Sequence, residues 1–186
     1  MNLSGFELTD SDLEPLRGMT NLKTLILTGS EISDLAPLAS LTSLTQLYMY
    51  GTKTSDLTPL VSLTNLLELS LNDNEIRDIA PLAGLTGLTK LWLNGNEIDD
   101  VAPLAGLTEL WELDLSENEI RDVAPLDSLT ELNMLILDGN QIGDASPLAA
   151  LTNLAMLSLV DNPLNERQIA DLQVALPDCN IYSDPK

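Results

Sequence analysis

The chain contains no histidine, which removes the commonest general base and metal ligand and makes Ser–His–Asp and Cys–His arrangements impossible. A single cysteine, Cys179, excludes an intramolecular disulfide and leaves the redox compartment open. Cations are scarce. Eight Lys plus Arg against 29 Asp plus Glu give a formal charge of −21, which repels a phosphate backbone and excludes nucleic acid as a partner. No apolar run is long enough to span a bilayer, so membrane insertion is not expected, and the N-terminus lacks the basic-then-apolar arrangement of a signal peptide. Nor is there a G-x-G-x-x-G or phosphate-loop motif. Aromatic residues make up only 3% of the 186 residues although 44% are hydrophobic. The core must therefore be aliphatic, as in a stack of thin layers.

What is present is a repeat. Segments opening at Met19, Leu41, Leu63, Leu85, Leu107 and Leu129 are six full 22-residue copies, and a seventh runs from Leu151 to Asn162. In the copy from Leu85 to Gly106, Leu91 and Leu93 alternate with Trp92 as a short strand does, both leucines facing one side. Asn96 then turns the chain. Asp100, Val101, Ala102, Pro103 and Leu104 follow as one tight helical turn, with the Asp placed to cap free N–H groups and the Pro in a first-turn position. So short a strand cannot bury its face alone. Stacked copies would set equivalent strands about 4.8 Å apart in a parallel sheet, seven of them spanning roughly 29 Å.

These motifs resemble the leucine-rich repeat family, specifically the 22-residue class of bacterial internalins, with L-x-x-L-x-L-x-x-N followed by I-x-D-(I/V)-x-P-L over residues 12 to 162. The resemblance implies a leucine-rich repeat solenoid of the α/β class: a right-handed curved superhelix with a parallel concave β-sheet and short 3-10 turns on the convex side. It also implies that Asn74, Asn96, Asn118, Asn140 and Asn162 hydrogen-bond the backbone between coils, with Ser30 and Thr52 as shorter replacements in the first two copies. Secretion or cell-surface display is implied as well.

One domain is expected over residues 1–186, with a truncated coil at 1–18, repeats at 19–162 and a cap at 163–186. In the cap, Asn165 and Gln168 read as a reciprocal helix start. Ile169, Leu172, Ala175 and Leu176 form one apolar stripe ending at Pro177, and Cys179, Ile181 and Tyr182 form a final strand. At the other end Phe6 and Leu8 alternate like a strand, Asp12, Leu13, Pro15 and Leu16 match the second half of a repeat, and no helical cap is legible. The expected state is a monomer whose N-terminal edge is covered by this irregular segment. Pairing of that edge with a second copy is the alternative.

Candidate chemistry is thin. Carboxylate pairs abound in so acidic a chain, so a glycosidase-like pair carries no specific signal. Cys179 reads as a buried structural thiol. Asp34, Asp56, Asp78, Asp100, Asp122 and Asp144 recur once per copy and invite a calcium reading, but each stands where its own helical turn needs a cap. The expectation is no enzyme, no metal and no cofactor.

The residues between the inward leucines are where the repeat stops repeating. The column between the two strand leucines holds Ile26, Tyr48, Ser70, Trp92, Asp114, Ile136 and Ser158. The column after it includes Tyr50 and Asp138, and the column before it includes Glu68, Lys90, Glu112, Met134 and Met156. Leu67 and Trp111 stand one position earlier still. Rings grouped with Ile and Met at outward positions are what a binding face requires and a core does not. The predicted partner-binding set is Ile26, Tyr48, Tyr50, Glu68, Trp92, Trp111, Glu112, Asp114, Met134, Ile136, Asp138 and Met156. Its acids favour a protein or peptide that presents a basic patch beside apolar side chains. The competing readings are a self-associating structural repeat and an engineered scaffold without a native partner; irregularities such as Thr54 in an isoleucine column argue for a natural origin.

Overall fold

The computed structural model describes residues 1–29 and 31–185. Each repeat contributes one strand: β1 (Thr24–Thr28), β2 (Gln46–Tyr50), β3 (Glu68–Ser70), β4 (Lys90–Trp92), β5 (Glu112–Asp114), β6 (Met134–Ile136) and β7 (Met156–Ser158), with β8 (Asn180–Tyr182) added by the C-terminal segment. All eight lie in one sheet in chain order, every neighbour parallel. The repeat length fixes the register. Leu25, Leu47, Leu69, Leu91, Leu113, Leu135 and Leu157 face one another across successive strands, and all seven are fully buried. Alternation sends the intervening side chains to the other face.

Behind the sheet each coil makes a 3-10 turn carrying proline, as at Ala36–Leu38, Ala80–Leu82 and Ala102–Leu104. So few residues close only i→i+3 bonds, such as Leu104 N–H to Val101 O at 2.9 Å. The repeated aspartates act on these turns. Asp34, Asp56, Asp78, Asp100, Asp122 and Asp144 each accept a bond from the backbone N–H two residues on, at 2.8–2.9 Å. The Thr58 hydroxyl and backbone N–H lower the Asp56 carboxyl below its ordinary value, and the Ser146 backbone N–H and hydroxyl do the same to Asp144.

Between strand and turn the asparagines bind neighbouring coils together. Asn96 Nδ2 donates to Leu71 O of the previous coil and to Leu93 O of its own, while its Oδ1 accepts from Ile76 N–H at 3.0 Å. Asn118, Asn140 and Asn162 repeat the pattern. Thr52, in the same column, bonds instead to the side chains of Thr54 and Asn74. Thr54 is fully buried where neighbouring coils place isoleucine, and its hydroxyl reaches Ile32 O at 3.4 Å. Ser30 lies outside the described residues.

At the C-terminal end, α2 (Glu166–Ala175) opens on the reciprocal pair read from the sequence, Asn165 N–H to Gln168 Oε1 at 2.9 Å and Gln168 N–H to Asn165 Oδ1 at 3.1 Å. Leu164, Leu172, Leu176 and Cys179 close the core there, and burial pushes the Cys179 thiol up. The N-terminal end differs from the sequence expectation in two ways. The strand-like pairing is split into two isolated parallel bridges: at Asn2, where Ile26 N–H bonds Met1 O and Leu3 N–H bonds Ile26 O, and at Thr9, where Glu31 N–H bonds Leu8 O, while Phe6 is 61% exposed. A helical piece is also present, α1 (Asp10–Leu13), running into a 3-10 turn over Glu14–Gly18. Asp12 explains it by accepting from the backbone N–H and the hydroxyl of Thr9, so the capping aspartate starts an α-turn at this end.

Candidate protein-binding face

The outward columns of the sheet bring four of the predicted residues into direct contact. Tyr48 on β2 donates its hydroxyl to Glu68 on β3, and Trp92 on β4 donates its indole N–H to Glu112 on β5 at 2.8 Å. In both pairs an aromatic residue reaches diagonally to a carboxylate on the next strand. The two rings then approach each other across β3, centroids 6.3 Å apart and planes tilted by 31°. Ser70, between them in the same column, is only 7% exposed because its own side chain is short and its neighbours are long. Burial, the Glu68 bond and the Glu68 charge together push Tyr48 up to about 12. Lys90 completes the cluster, its ammonium 5.9 Å from the centre of the Trp92 ring.

The other predicted residues are distributed around this centre. Tyr50 is 51% exposed, and its side-chain hydrogen bond to Asp73, followed by the Asp73 charge, raises the phenol. Trp111, at the bend before β5, is 47% exposed, as is Leu67 at the bend before β3. Toward the C-terminal end Met134 and Met156 face each other on neighbouring strands, with Ile136 half-buried between Asp114 and Ser158. Ile26 lies at the opposite end, flanked by Tyr48 and by the bridge to Asn2. Asp114 and Asp138 are less available than their columns implied. Asp114 accepts from Ser116 N–H and hydroxyl, and Asp138 holds the Ser158 hydroxyl at 2.6 Å and Val160 N–H at 2.8 Å.

A family model described as Leucine Rich repeats (2 copies) matches residues 20–62 and 64–106. Internalin C2 of Listeria monocytogenes superposes with a TM-score of 0.89 at 33% identity, over 98% of this chain and 80% of that one. The chain belongs to the internalin-like leucine-rich repeat family. A second Listeria monocytogenes internalin (inlF) gives a TM-score of 0.90 at 34% identity, covering 97% of this chain and 54% of its own. A leucine-rich repeat protein of Leptospira interrogans gives 0.72 at 25% identity, over 90% of this chain and 50% of that one. This internalin-like chain thus spans about half the length of two of these relatives. Comparison with curated protein sequences yields no match. Leucine-rich repeat proteins of this kind are generally non-enzymatic protein-interaction modules.

Two features of this internalin-like protein escape a reading by columns alone. From Tyr48 onward the central column alternates large and small, Tyr48, Ser70, Trp92, Asp114, Ile136, Ser158. In the turns after β2 to β7, a position with positive φ alternates between Gly51, Gly95 and Gly139 and the acids Asp73, Glu117 and Asp161, while the turn after β1 also carries glycine, Gly29. The second alternation has a steric cause. A Cβ on Gly95 would stand 2.2 Å from Asp73 Oδ1, and one on Gly139 would stand 2.7 Å from the Glu117 carboxyl carbon. A side chain in the coil after an acid would therefore have to displace that acid's carboxylate. Among the described residues no three of His, Cys, Asp or Glu stand close enough together to hold a metal ion, and no helix is long and apolar enough to cross a membrane.

Proposed function

We propose that the concave sheet face binds a partner protein or peptide that presents Lys or Arg beside apolar side chains. The observation that carries this reading is the placement of both tryptophans and two of the three tyrosines on or beside one sheet face, in a protein whose core is otherwise aliphatic. Tyr50, Leu67 and Trp111 are each about half exposed there, and Trp and Tyr dominate interface hot spots. Carboxylates held among the rings, Glu68 and Glu112, give that apolar surface a negative potential.

The test compares partner affinity across substitutions on the two sides of the solenoid. Trp111→Ala and Tyr50→Ala should each weaken binding by about 1–4 kcal/mol while changing stability little, since neither side chain is buried. Val61→Ser and Asp127→Asn alter exposed side chains in or just after the convex 3-10 turns and should leave affinity nearly unchanged. If the convex substitutions abolish binding and the concave ones do nothing, the partner reads the outer surface and the proposal fails.

A further inference from the structure

We infer that the cluster of Tyr48, Glu68, Trp92 and Glu112 is a binding site for one guanidinium group, an arginine of the partner, and that Lys90 occupies this site in the free protein. The inference rests on the concave-face reading and adds to it the chemical group recognised and a competing group within the chain.

The argument starts from where Lys90 does not go. It lies in register between Glu68 and Glu112, on strands about 4.8 Å to either side, yet among the described residues it makes no ion pair with either. Four other cations of the chain do pair with carboxylates: Arg17 with Glu14, Lys53 with Glu31, Arg77 with Asp99 and Arg167 with Asp171. Both flanking carboxylates are held by ring donors, Glu68 by the Tyr48 hydroxyl and Glu112 by the Trp92 indole N–H. The Lys90 ammonium rests over the Trp92 ring instead.

A compact, strongly hydrated ammonium uses such a site poorly. A guanidinium is planar, stacks on an aromatic face and sheds water more readily, and its fork of N–H donors matches carboxylate oxygens. Each glutamate gives one oxygen to its ring and keeps a second. Two carboxylates against one ammonium also leave the cluster net negative. The rings and carboxylates are already fixed against one another, so an incoming arginine has little to order beyond moving the flexible Lys90 stem aside. Lys90 therefore competes with the partner for the Trp92 face, and its removal should strengthen arginine binding despite the loss of a surface contact.

The experiment titrates isotope-labelled protein with N-acetyl-arginine amide, its lysine counterpart and the neutral citrulline counterpart, following the two indole N–H resonances. Arginine should shift the Trp92 resonance and leave that of Trp111 in place, lysine should act more weakly, and citrulline should have no effect. Lys90→Met should tighten arginine about two- to fivefold. Glu68→Gln and Glu112→Gln, which keep an acceptor for each ring donor, should weaken it by at least as much. The inference is overturned if Lys90→Met leaves arginine binding unchanged or weaker, or if arginine moves Trp111 and convex amides as much as Trp92, the mark of diffuse attraction to an acidic surface. Should Lys90→Met fail in this way while Trp111→Ala and Tyr50→Ala still weaken a protein partner, the concave face remains the interface and only the guanidinium site is lost.

Discussion

Glu117 holds a φ of 53° in a column where Gly95 and Gly139 reach 69° and 66°, and that backbone region disfavours a residue with a Cβ by about 1–2 kcal/mol. Its side chain also lies where a Cβ on Gly139 would be, with both carboxylate oxygens within 2.9 Å of that point. Two outcomes follow from these neighbours. Glu117→Gly should stabilise the protein by about 1 kcal/mol in urea unfolding, since it relieves the left-handed backbone and removes one charge from an acidic chain. Gly139→Ala should destabilise by about 1–2 kcal/mol, and by less in the Glu117→Gly background because the clashing carboxylate is gone. Equal penalties in the two backgrounds would mean that Glu117 simply swings away. The alternation of glycine and acid was visible in the sequence, but its cause was not. Residues 22 positions apart show no contact until the coils are stacked.

Strands, 3-10 turns and the capped helix α2 were legible because each leaves a pattern over several residues: leucine alternation, Asp followed by Pro, and an Asn–Gln pair ahead of an apolar stripe. The N-terminal element was not. Phe6 and Leu8 alternate over too short a window to specify a strand, as do Met1 and Leu3, and each stretch yields only an isolated bridge, to Glu31 and to Ile26 respectively. The binding columns were legible in the same partial way. Alternation placed Tyr48, Trp92, Glu68 and Glu112 on one face, but their pairing across strands depends on side-chain reach, and the place of Lys90 over Trp92 follows from those pairs. At the level of coils the contrast is between Asn118, bound to Leu93 O, Leu115 O and Ile98 N–H, and Thr52, whose bonds run to two side chains. Carbonyls and amides tied by an asparagine resist local opening. Hydrogen exchange should therefore be faster before about residue 60 than in the coils holding Asn96 and Asn118; uniform protection along the sheet would rule this out. Joint replacement Thr52→Asn and Thr54→Ile should slow exchange in that coil.

Across the whole molecule, 29 acids and eight bases are spread along a stack held together chiefly by contacts between neighbouring coils. Of the ion pairs among the described residues, all five join side chains at least 47% exposed, so each adds little to stability. Most remaining carboxylates repel one another along the solenoid at neutral pH. Salt screens both kinds of interaction, with a Debye length of about 10 Å at 0.1 M falling to about 3 Å at 1 M. Because like charges greatly outnumber pairs, relief of repulsion outweighs loss of attraction. Thermal unfolding at pH 7 should therefore move to higher temperature as sodium chloride is raised from tens of millimolar to half molar. On the proposed reading, encounter with a basic partner should respond in the opposite sense, since the same field that destabilises the free chain would draw such a partner in. Its association rate should fall steeply over that salt range. Dissociation should change less, because the contacts proposed at Trp111 and Tyr50 would be apolar at their centre. A melting temperature that drops with salt would show that the exposed ion pairs outweigh the repulsion. An association rate indifferent to salt would show that the partner is not drawn in by charge, and would remove the case for a basic partner even if the concave face is the one it covers.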